Sequence, residues 1–437
     1  MTGRHALEVG WISAASSIAL VCFVGAYLMG SIIFMSASLL TIYLFLCIYV
    51  RDPSSPLVIV GLFWVLYIVS YPLGVSLFQP QGVDDNLRST VFFGGVALIS
   101  FCIGFVVFTG LSRRGTEYIS FRDLRRVGSF EGVALYASLI ISCLLIPFYF
   151  YDLMVVSASS ARYKYELESS SSGAPLYILL FSLFVFFGLL YERSSSRLSR
   201  WYLYFFVFIF IVYYLFTGQR DFLVRSVMLV LFLIYLREKL SIKTIWLVFV
   251  CGIVMQPVLQ AGKGLLSFGA GSFEFTAASL FSGEFSSQGR NFYYILQDLG
   301  RAQFVYDGSM LRDIKRFLNL GEQSSTNLFG SEFLGRRGGA GMGFSLLAQF
   351  YIAGGVLALI VFGLFSAFAM QFIRRWFPLS VLGVYVYVTF VFAFGYSLRA
   401  DLANLLSQSI KFGAIPVFAF LFIVMLFSVM FRNFRRI

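Results

Sequence analysis

Charge is scarce in this sequence. Asp, Glu, Lys and Arg make up 12% of its 437 residues, whereas hydrophobic residues make up 59%. A water-soluble chain could not cover its surface with so few charged side chains. Apolar runs of roughly 17 to 25 residues, long enough to cross about 30 Å of hydrocarbon, recur from end to end. The sequence therefore predicts an all-α, polytopic integral membrane protein.

Histidine and cysteine are scarce too, which excludes several kinds of site. His5 is the only histidine and lies in the N-terminal tail, so serine–histidine catalysis is excluded on the outer face. The cysteines all fall inside apolar runs, where a thiol behaves as a small hydrophobe and predicts neither a disulfide framework nor a zinc site. They are Cys22, Cys47, Cys102, Cys143 and Cys251.

Metal-binding patterns are missing from the connections that we assign to the outer side. No Asp-x-Asp pattern occurs there, and the neighbours Asp84 and Asp85 alone are a poor signature for a divalent ion. We therefore expect neither a metal ion nor another cofactor.

The apolar runs predict about 12 transmembrane helices in a single domain over residues 1–437. The first two runs are separated only by Gly30 and its neighbours, so a tight helical hairpin is required there. The predicted spans are 11–29, 31–50, 56–78, 89–111, 131–151, 175–191, 201–217, 220–236, 244–260, 344–371, 378–397 and 408–431.

Basic residues give the orientation. They are concentrated in alternate connections, and cationic residues favour the cytoplasmic side of short loops. Both termini are therefore predicted to be cytoplasmic. The net charge of +12 is mostly a consequence of this topology and gives no support to nucleic-acid binding.

Two loops dominate the opposite, outer side. The larger covers residues 261–343 between spans 9 and 10, and the smaller covers residues 152–174. We expect short amphipathic helices on the outer membrane surface in the larger loop. One of them would carry Arg312, Asp313, Lys315 and Arg316 on its polar face.

Charged residues next to or inside spans need a physical reason. Arg220, Asp221 and Arg225 open one span, and a charge at that depth costs a few kcal/mol unless it faces a cavity or a partner. They form either a mutually neutralised helix terminus or an anion site at the outer membrane boundary. Arg399 and Asp401 repeat the pattern before the last span.

Further arginines lie in the outer loops. Guanidinium groups converging near the lipid headgroups would suit a pyrophosphate and would stabilise it as a leaving group, although each arginine alone could equally be a surface charge. The glycines of residues 335–343 could bring backbone amides to a phosphate or form a hinge. The arginines concerned are Arg162, Arg290, Arg301, Arg312, Arg316 and Arg336.

Among the outer carboxylates, Glu332 is our candidate for a catalytic base. It lies between Gly330 and Gly335, just before the tenth span. A partly desolvated carboxylate beside the membrane is suited to accept a proton.

Three stretches carry a resemblance to a known family. The first is Phe216 to Leu223 (FTGQRDFL). The second consists of two nearby segments, Gly330 to Phe333 (GSEF) and Gly343 to Gly355 (GFSLLAQFYIAGG). The third is an Arg-x10-Gly element formed by Arg162 and Gly173. Together with the layout of nearly the whole chain, they resemble the Wzy-type O-antigen and oligosaccharide repeat-unit polymerases of bacteria.

The resemblance implies a GT-C-like glycosyltransferase of the bacterial inner membrane. It would act on the periplasmic face without a metal, moving the growing glycan from undecaprenyl pyrophosphate to a new lipid-linked repeat unit. A chain-length regulator is a possible partner. Arg162 and Arg220 match family positions and Glu332 matches a carboxylate seen in similar contexts, whereas Arg290, Arg399 and Asp401 come from the charge pattern alone.

Other functions remain open at this point. An O-antigen ligase shares the large late loop, but that family uses a histidine there and this loop has none. A flippase or transporter of lipid-linked glycan would place its charges at the membrane midplane, whereas most of these lie at one face. A purely structural subunit would not need Arg225 and Lys411 inside spans.

Overall fold

A computed structural model describes residues 17–50, 55–111, 129–157, 174–192, 208–209, 278, 281, 284–321, 323, 325–333, 343–376 and 380–434. Within these ranges the regular structure is helical and no strand occurs. The helices before the large loop are α1 (Ser17–Leu28), α2 (Ile32–Val50), α3 (Pro56–Phe78), α4 (Asp85–Leu111), α5 (Ser129–Ser157) and α6 (Ala174–Glu192).

The large loop and the chain after it supply the remaining described helices. Short helices form within the loop, as expected: α7 (Glu284–Gln297), α8 (Leu299–Tyr306), α9 (Ser309–Phe317) and α10 (Ser325–Leu328), the last continued by a π-helical turn (Phe329–Phe333). They are followed by α11 (Leu346–Trp376), α12 (Val381–Ser397), α13 (Leu402–Gln408), a π-helical turn (Ser409–Ala414) and α14 (Ile415–Phe434).

Apolar helices coincide with the predicted spans wherever the structure describes the chain. Pro56–Phe78, Asp85–Phe108, Leu346–Arg374 and Leu402–Met430 are long and apolar enough to cross a membrane, and shorter apolar helices occupy Ser17–Leu28, Ile32–Ile48, Gly132–Pro147, Leu180–Leu189 and Val381–Ser397. The predicted spans at 220–236 and 244–260, and all of the span at 201–217 except residues 208–209, lie outside the described residues, so the count of twelve stays a prediction.

The tight hairpin at Gly30 is confirmed. Gly30 has a φ of +72°, its N–H donates to the Tyr27 carbonyl at 3.0 Å, and the Ser31 N–H donates to the Ala26 carbonyl at 2.9 Å. These two bonds and the left-handed glycine form a Schellman motif, which ends a helix and satisfies its last carbonyls. The chain then reverses into α2.

The chain divides into two compact units. The first consists of Met1–Tyr118, Phe275–Arg375 and Val391–Ser407, and the second of Ile119–Glu274, Trp376–Phe390 and Gln408–Ile437. In the first unit Trp64 of α3 is fully buried against Phe101 and Phe362. A Cβ on Gly363 would lie 2.5 Å from the Ala97 carbonyl oxygen, so α4 and α11 approach at backbone distance through a glycine.

In the second unit, apolar helix faces pack around aromatic side chains. Phe184 and Phe187 of α6 contact Tyr385 edge to face, and Phe184 also contacts Phe420 of α14. A Cβ on Gly188 would lie 2.6 Å from Leu135 of α5. These contacts hold α5 and α6 side by side.

Helix α7 packs lengthwise along α3. Phe281 lies beside Gly74 and Phe78, Phe285 contacts Tyr67 near the middle of α3, and Tyr293 contacts Tyr71. The chain thus runs along α3 from Phe78 to Tyr67 and then back to Tyr71. The sequence predicts short helices in this loop but does not show that α7 packs along an apolar helix, because the buried residues of α7 include the polar Ser286, Ser287, Gln288 and Asn291.

Helix α11 is broken at two glycines. Gly354 has φ −168° and ψ 25°, and Gly355 has φ 60° and ψ −146°, both outside the helical region. The Gly355 conformation is essentially restricted to glycine. The sequence predicts a single span here, whereas the structure contains one helical segment up to Ala353 and a second from Val356.

Candidate functional site

Polar side chains gather at one end of the first unit, where α11 begins and α12 ends. The Phe344 N–H donates to the Arg399 carbonyl at 2.9 Å, and the Leu346 N–H donates to the Leu398 carbonyl at 3.1 Å. Gly343 has a φ of +68°, and a Cβ there would lie 2.6 Å from the Arg399 carbonyl oxygen. Only glycine fits this approach, so the two chain segments are held in contact.

A buried set of hydrogen bonds fastens the loop helices to this end. We call it the carboxylate network, and its members are Ser309, Asp313, Ser325, Gln349 and Asp401. Gln349 Nε2 donates to Asp313 Oδ2 at 2.8 Å, and the Leu402 N–H donates to Gln349 Oε1 at 3.2 Å. One amide side chain at the start of α11 therefore joins α9 to α13.

Both carboxylates of the network hold the start of α10. Asp313 Oδ1 accepts the Ser325 N–H at 3.0 Å and its hydroxyl at 3.1 Å. Asp401 Oδ2 accepts the Thr326 N–H at 2.9 Å, and its Oδ1 accepts the Asn404 N–H at 2.8 Å. Negative charge is favourable at the N-terminus of a helix, so these bonds fix the segment that leads to Glu332.

The network contains two buried carboxylates, and no described cation forms a salt bridge with either. Asp313 is 0% exposed and Asp401 is 2% exposed, and in the described part of the chain neither forms a salt bridge. Burial, and then the charge of Asp401, raise the pKa of Asp313 above its usual value. A buried carboxylate pair without a cation is unusual and suits a positioning role better than contact with an anionic substrate.

A second group surrounds the hydroxyl of Tyr306. Arg301, Arg312, Asp313 and Glu332 all lie close enough to act on it electrostatically, and burial raises the pKa of Tyr306. Arg301 Nη2 donates to the Glu332 carbonyl at 2.5 Å. Arg312 Nη2 donates to the carbonyls of Val305 at 3.0 Å and Asp307 at 3.2 Å.

Glu332 itself is exposed. This corrects the expectation of a partly desolvated carboxylate, because the π-helical turn Phe329–Phe333 buries Phe329 and leaves the Glu332 side chain outward. Its surroundings still include Arg301, whose guanidinium binds the Glu332 backbone.

A third group, which we call the tyrosine cluster, lies where α7 meets α3. Tyr293 Oη donates to Asp84 Oδ2 at 3.0 Å. Arg290 lies near the Tyr71 hydroxyl, and its buried Nε has no hydrogen-bond partner among the described residues. The members of the cluster are Tyr71, Asp84, Arg290, Tyr293, Tyr294 and Gln297.

The predicted site residues are therefore distributed in several ways. Arg312 and Glu332 come together around Tyr306, Arg290 belongs to the tyrosine cluster, and Asp401 belongs to the carboxylate network. The Arg399 guanidinium lies 4.2 Å from the centre of the Tyr396 ring and donates to its hydroxyl. Arg162, Arg220, Arg225 and Arg336 lie outside the described residues.

Helix α9 separates polar from apolar residues, as the sequence predicts, but not all of its polar residues are exposed. Arg312, Lys315 and Arg316 do lie on the helix surface to different degrees, but Asp313 is fully buried. The apolar residues point outward instead, with Leu311 59%, Ile314 39% and Leu318 59% exposed. In a membrane protein the apolar face of an interfacial helix can face lipid, so the polar side can face the protein.

Sequence reasoning missed Tyr306 and Gln349 as site residues. Gln349 lies in the GFSLLAQFYIAGG stretch, but no local pattern distinguishes it from other amides near a span. Among the described residues no group of three or more His, Cys, Asp or Glu side chains forms a metal-ligand set. The absence of a metal requirement stays a prediction.

Comparison with known families gives one match. The family model described as O-antigen polysaccharide polymerase Wzy matches residues 11–433. Comparison with curated proteins and with solved structures gives no significant match.

Proposed function

The chain belongs to the Wzy family of O-antigen polysaccharide polymerases, and from this membership we propose a mechanism located at the loop-helix end of the first unit. Membership makes the protein a multi-pass glycosyltransferase of the bacterial inner membrane that polymerises lipid-linked repeat units. The match across residues 11–433 is the observation that carries this function.

The proposed reaction takes place on the periplasmic face with undecaprenyl pyrophosphate as the carrier. A hydroxyl of the acceptor repeat unit attacks the anomeric carbon of the donor glycan, and the bond from that carbon to the pyrophosphate oxygen breaks. The hydroxyl proton passes to a base, and the lipid pyrophosphate leaves with the electron pair. No oxidant, reductant or metal ion is needed for this balance.

Arg290 is the best-supported anchor for the pyrophosphate. Its Nε is buried without a hydrogen-bond partner among the described residues, and an unpaired donor on a cationic side chain favours an anionic ligand. Arg312 has a weaker claim because its guanidinium already binds two backbone carbonyls. Arg399, stacked on Tyr396, remains a proposed second contact to the leaving group.

Glu332 remains our proposed base. Its exposure leaves its oxygens accessible to an acceptor hydroxyl, and the carboxylate network fixes the start of the segment that carries it. Asp401 was predicted to contact substrate, but both its oxygens accept backbone N–H groups, so we now propose it as a positioning residue.

Several further elements of the proposal depend on the resemblance or on the charge pattern. Arg162, Arg220, Arg225 and Arg336 are proposed to contribute to anion binding, both termini are proposed to be cytoplasmic, and activity is proposed to be metal-independent. A chain-length regulator is proposed as a partner. These proposals rest on sequence alone.

A deletion strain tests the function directly. With the gene removed, a polysaccharide gel should show single repeat units capped on the lipid core, and the intact gene should restore polymer. Bare core with polymer still made would instead indicate a ligase, and loss of both single units and polymer would indicate a flippase.

A further inference from the structure

We propose that the tyrosine cluster binds the sugar ring that is attached directly to the pyrophosphate of a lipid-linked repeat unit. This inference rests on the proposed function, because it assigns a saccharide subsite next to the proposed pyrophosphate anchor. It names a binding surface that the polymerase assignment alone does not locate.

The cluster is a built arrangement of aromatic and polar groups. The rings of Tyr71 and Tyr293 are 5.9 Å apart, and those of Tyr293 and Tyr294 are 5.7 Å apart. All three tyrosines are half-buried, so each is held in place while part of its ring stays accessible. Such rings can pack against the C–H face of a sugar, as they do against other apolar surfaces.

Polar groups around the rings match the hydroxyls of a sugar. Asp84 is fixed on both sides, since its Oδ1 accepts the Leu87 N–H at 2.8 Å and its Oδ2 accepts the Tyr293 hydroxyl at 3.0 Å. Gln297 Nε2 donates to the Tyr293 oxygen at 2.5 Å and is exposed. Each carboxylate oxygen accepts more than one hydrogen bond, so Asp84 can bind a sugar hydroxyl without losing Tyr293.

The protonation state of Tyr293 suits this role. Burial, followed by the hydrogen bond to Asp84, raises the pKa of Tyr293 to about 12. The hydroxyl therefore keeps its proton at physiological pH and continues to donate to Asp84. Apart from Arg290, which we assign to the pyrophosphate, the cluster presents phenol hydroxyls, one amide and the Asp84 side chain, which suit the hydroxyls of a sugar.

Position distinguishes this surface from an ordinary interfacial belt of aromatic residues. Arg290 and Tyr293 are three residues apart on α7 and therefore on the same side of the helix, and Tyr293 contacts Tyr71. In a sugar pyrophosphate the anomeric carbon is bonded to a phosphate oxygen. A pyrophosphate on Arg290 would therefore place its first sugar beside Tyr71. By contrast, Tyr27 stacks on Phe92 at 4.2 Å and has no role in the cluster.

Binding measurements on the full-length protein in lipid nanodiscs test the proposal without requiring turnover. The probes are inorganic pyrophosphate and the lipid-free oligosaccharide released from the polysaccharide of the same bacterium, followed by saturation-transfer NMR. Tyr71→Ala and Tyr293→Ala should each weaken oligosaccharide binding on the order of tenfold and leave pyrophosphate binding unchanged. Arg290→Ala should weaken pyrophosphate binding.

Two controls keep the result interpretable. Tyr293→Phe retains the ring and should keep most of the oligosaccharide affinity, whereas Tyr27→Ala, which removes a tyrosine outside the cluster, should change neither probe. Oligosaccharide binding that is absent in the native protein, or equal in the native and alanine proteins, would overturn the subsite. Normal polymer in the deletion strain would overturn the polymerase function instead, whatever the binding data show.

Discussion

The tyrosine cluster and the carboxylate network are both polar groups in the first unit, but they differ in access and in charge. The cluster is half-exposed and contains an arginine whose buried Nε lacks a partner among the described residues. The network is sealed, and its two carboxylates are held by backbone and side-chain donors. A half-exposed group that contains an unpaired donor suits a ligand, whereas a buried and internally bonded group suits the positioning of other residues.

The largest expected effect comes from Glu332, the exposed carboxylate of the segment that the network holds. Glu332→Gln removes the proposed proton acceptor while preserving size, so polymer formation should fall about 10²- to 10⁴-fold. Polymer length on gels, with protein abundance measured in the same membranes, checks this. Asp298→Asn changes another exposed carboxylate of the loop and should have no effect; a similar loss in both variants would remove Glu332 as the base.

A substitution of Arg290 tests whether the tyrosine cluster binds the leaving pyrophosphate. Arg290→Ala should reduce polymer formation about 10²- to 10³-fold, because a fixed donor to the leaving pyrophosphate stabilises charge that develops in the transition state. The rate is measured with lipid-linked repeat units in purified membranes. Lys315→Ala removes an exposed cation of α9 as a control, and full activity in Arg290→Ala would show that the cluster does not bind the leaving group.

The carboxylate network is tested by exchanging the hydrogen-bond acceptor Asp313 and the donor Gln349. Asp313→Asn places an amide N–H₂ opposite Gln349 Nε2, so two donors face each other and the free energy of unfolding should fall by about 1–3 kcal/mol. Adding Gln349→Glu restores an acceptor and should recover much of the loss in a thermal unfolding assay. Asp307→Asn, on an exposed residue, is the control, and a double variant less stable than Asp313→Asn would contradict the hydrogen-bond assignment.

The smallest expected effect is a pH dependence of stability. Because the folded-state pKa of Asp313 is raised, the folded protein holds this proton more tightly than the unfolded chain does. Stability from this group is therefore complete below the ordinary aspartate pKa and is lost as the pH rises through the raised value. Asp313→Asn should flatten that part of the profile of unfolding midpoint against pH, and an unchanged slope would assign it to other groups.

The described apolar helices and the first hairpin could be predicted from sequence because their signals are local. Long apolar runs identify helices such as Pro56–Phe78 without any knowledge of their neighbours, and one glycine between two runs requires a sharp reversal at Gly30. The break in α11 could not be predicted from sequence, because paired glycines also occur in continuous membrane helices, where they permit close packing.

The candidate site could be predicted only in part, since its contacts join distant parts of the chain. Arg290, Arg312 and Glu332 were identified as charges that need a reason, but their grouping depends on how the loop helices fold. Asp313 was predicted to share a polar face with Arg312, Lys315 and Arg316, but its burial was not predicted, because amphipathicity does not show which face is covered. Its bond to Gln349 connects two helices that no local pattern relates.

The glycine break divides α11 into two helical segments with different packing partners. The segment up to Ala353 carries Gln349, which forms hydrogen bonds to α9 and α13. The segment from Val356 carries Gly363, which packs closely against α4. Gly354 and Gly355 connect the two segments in a non-helical conformation. The two segments are therefore held by separate contacts, one with the loop helices and α13 and the other with α4.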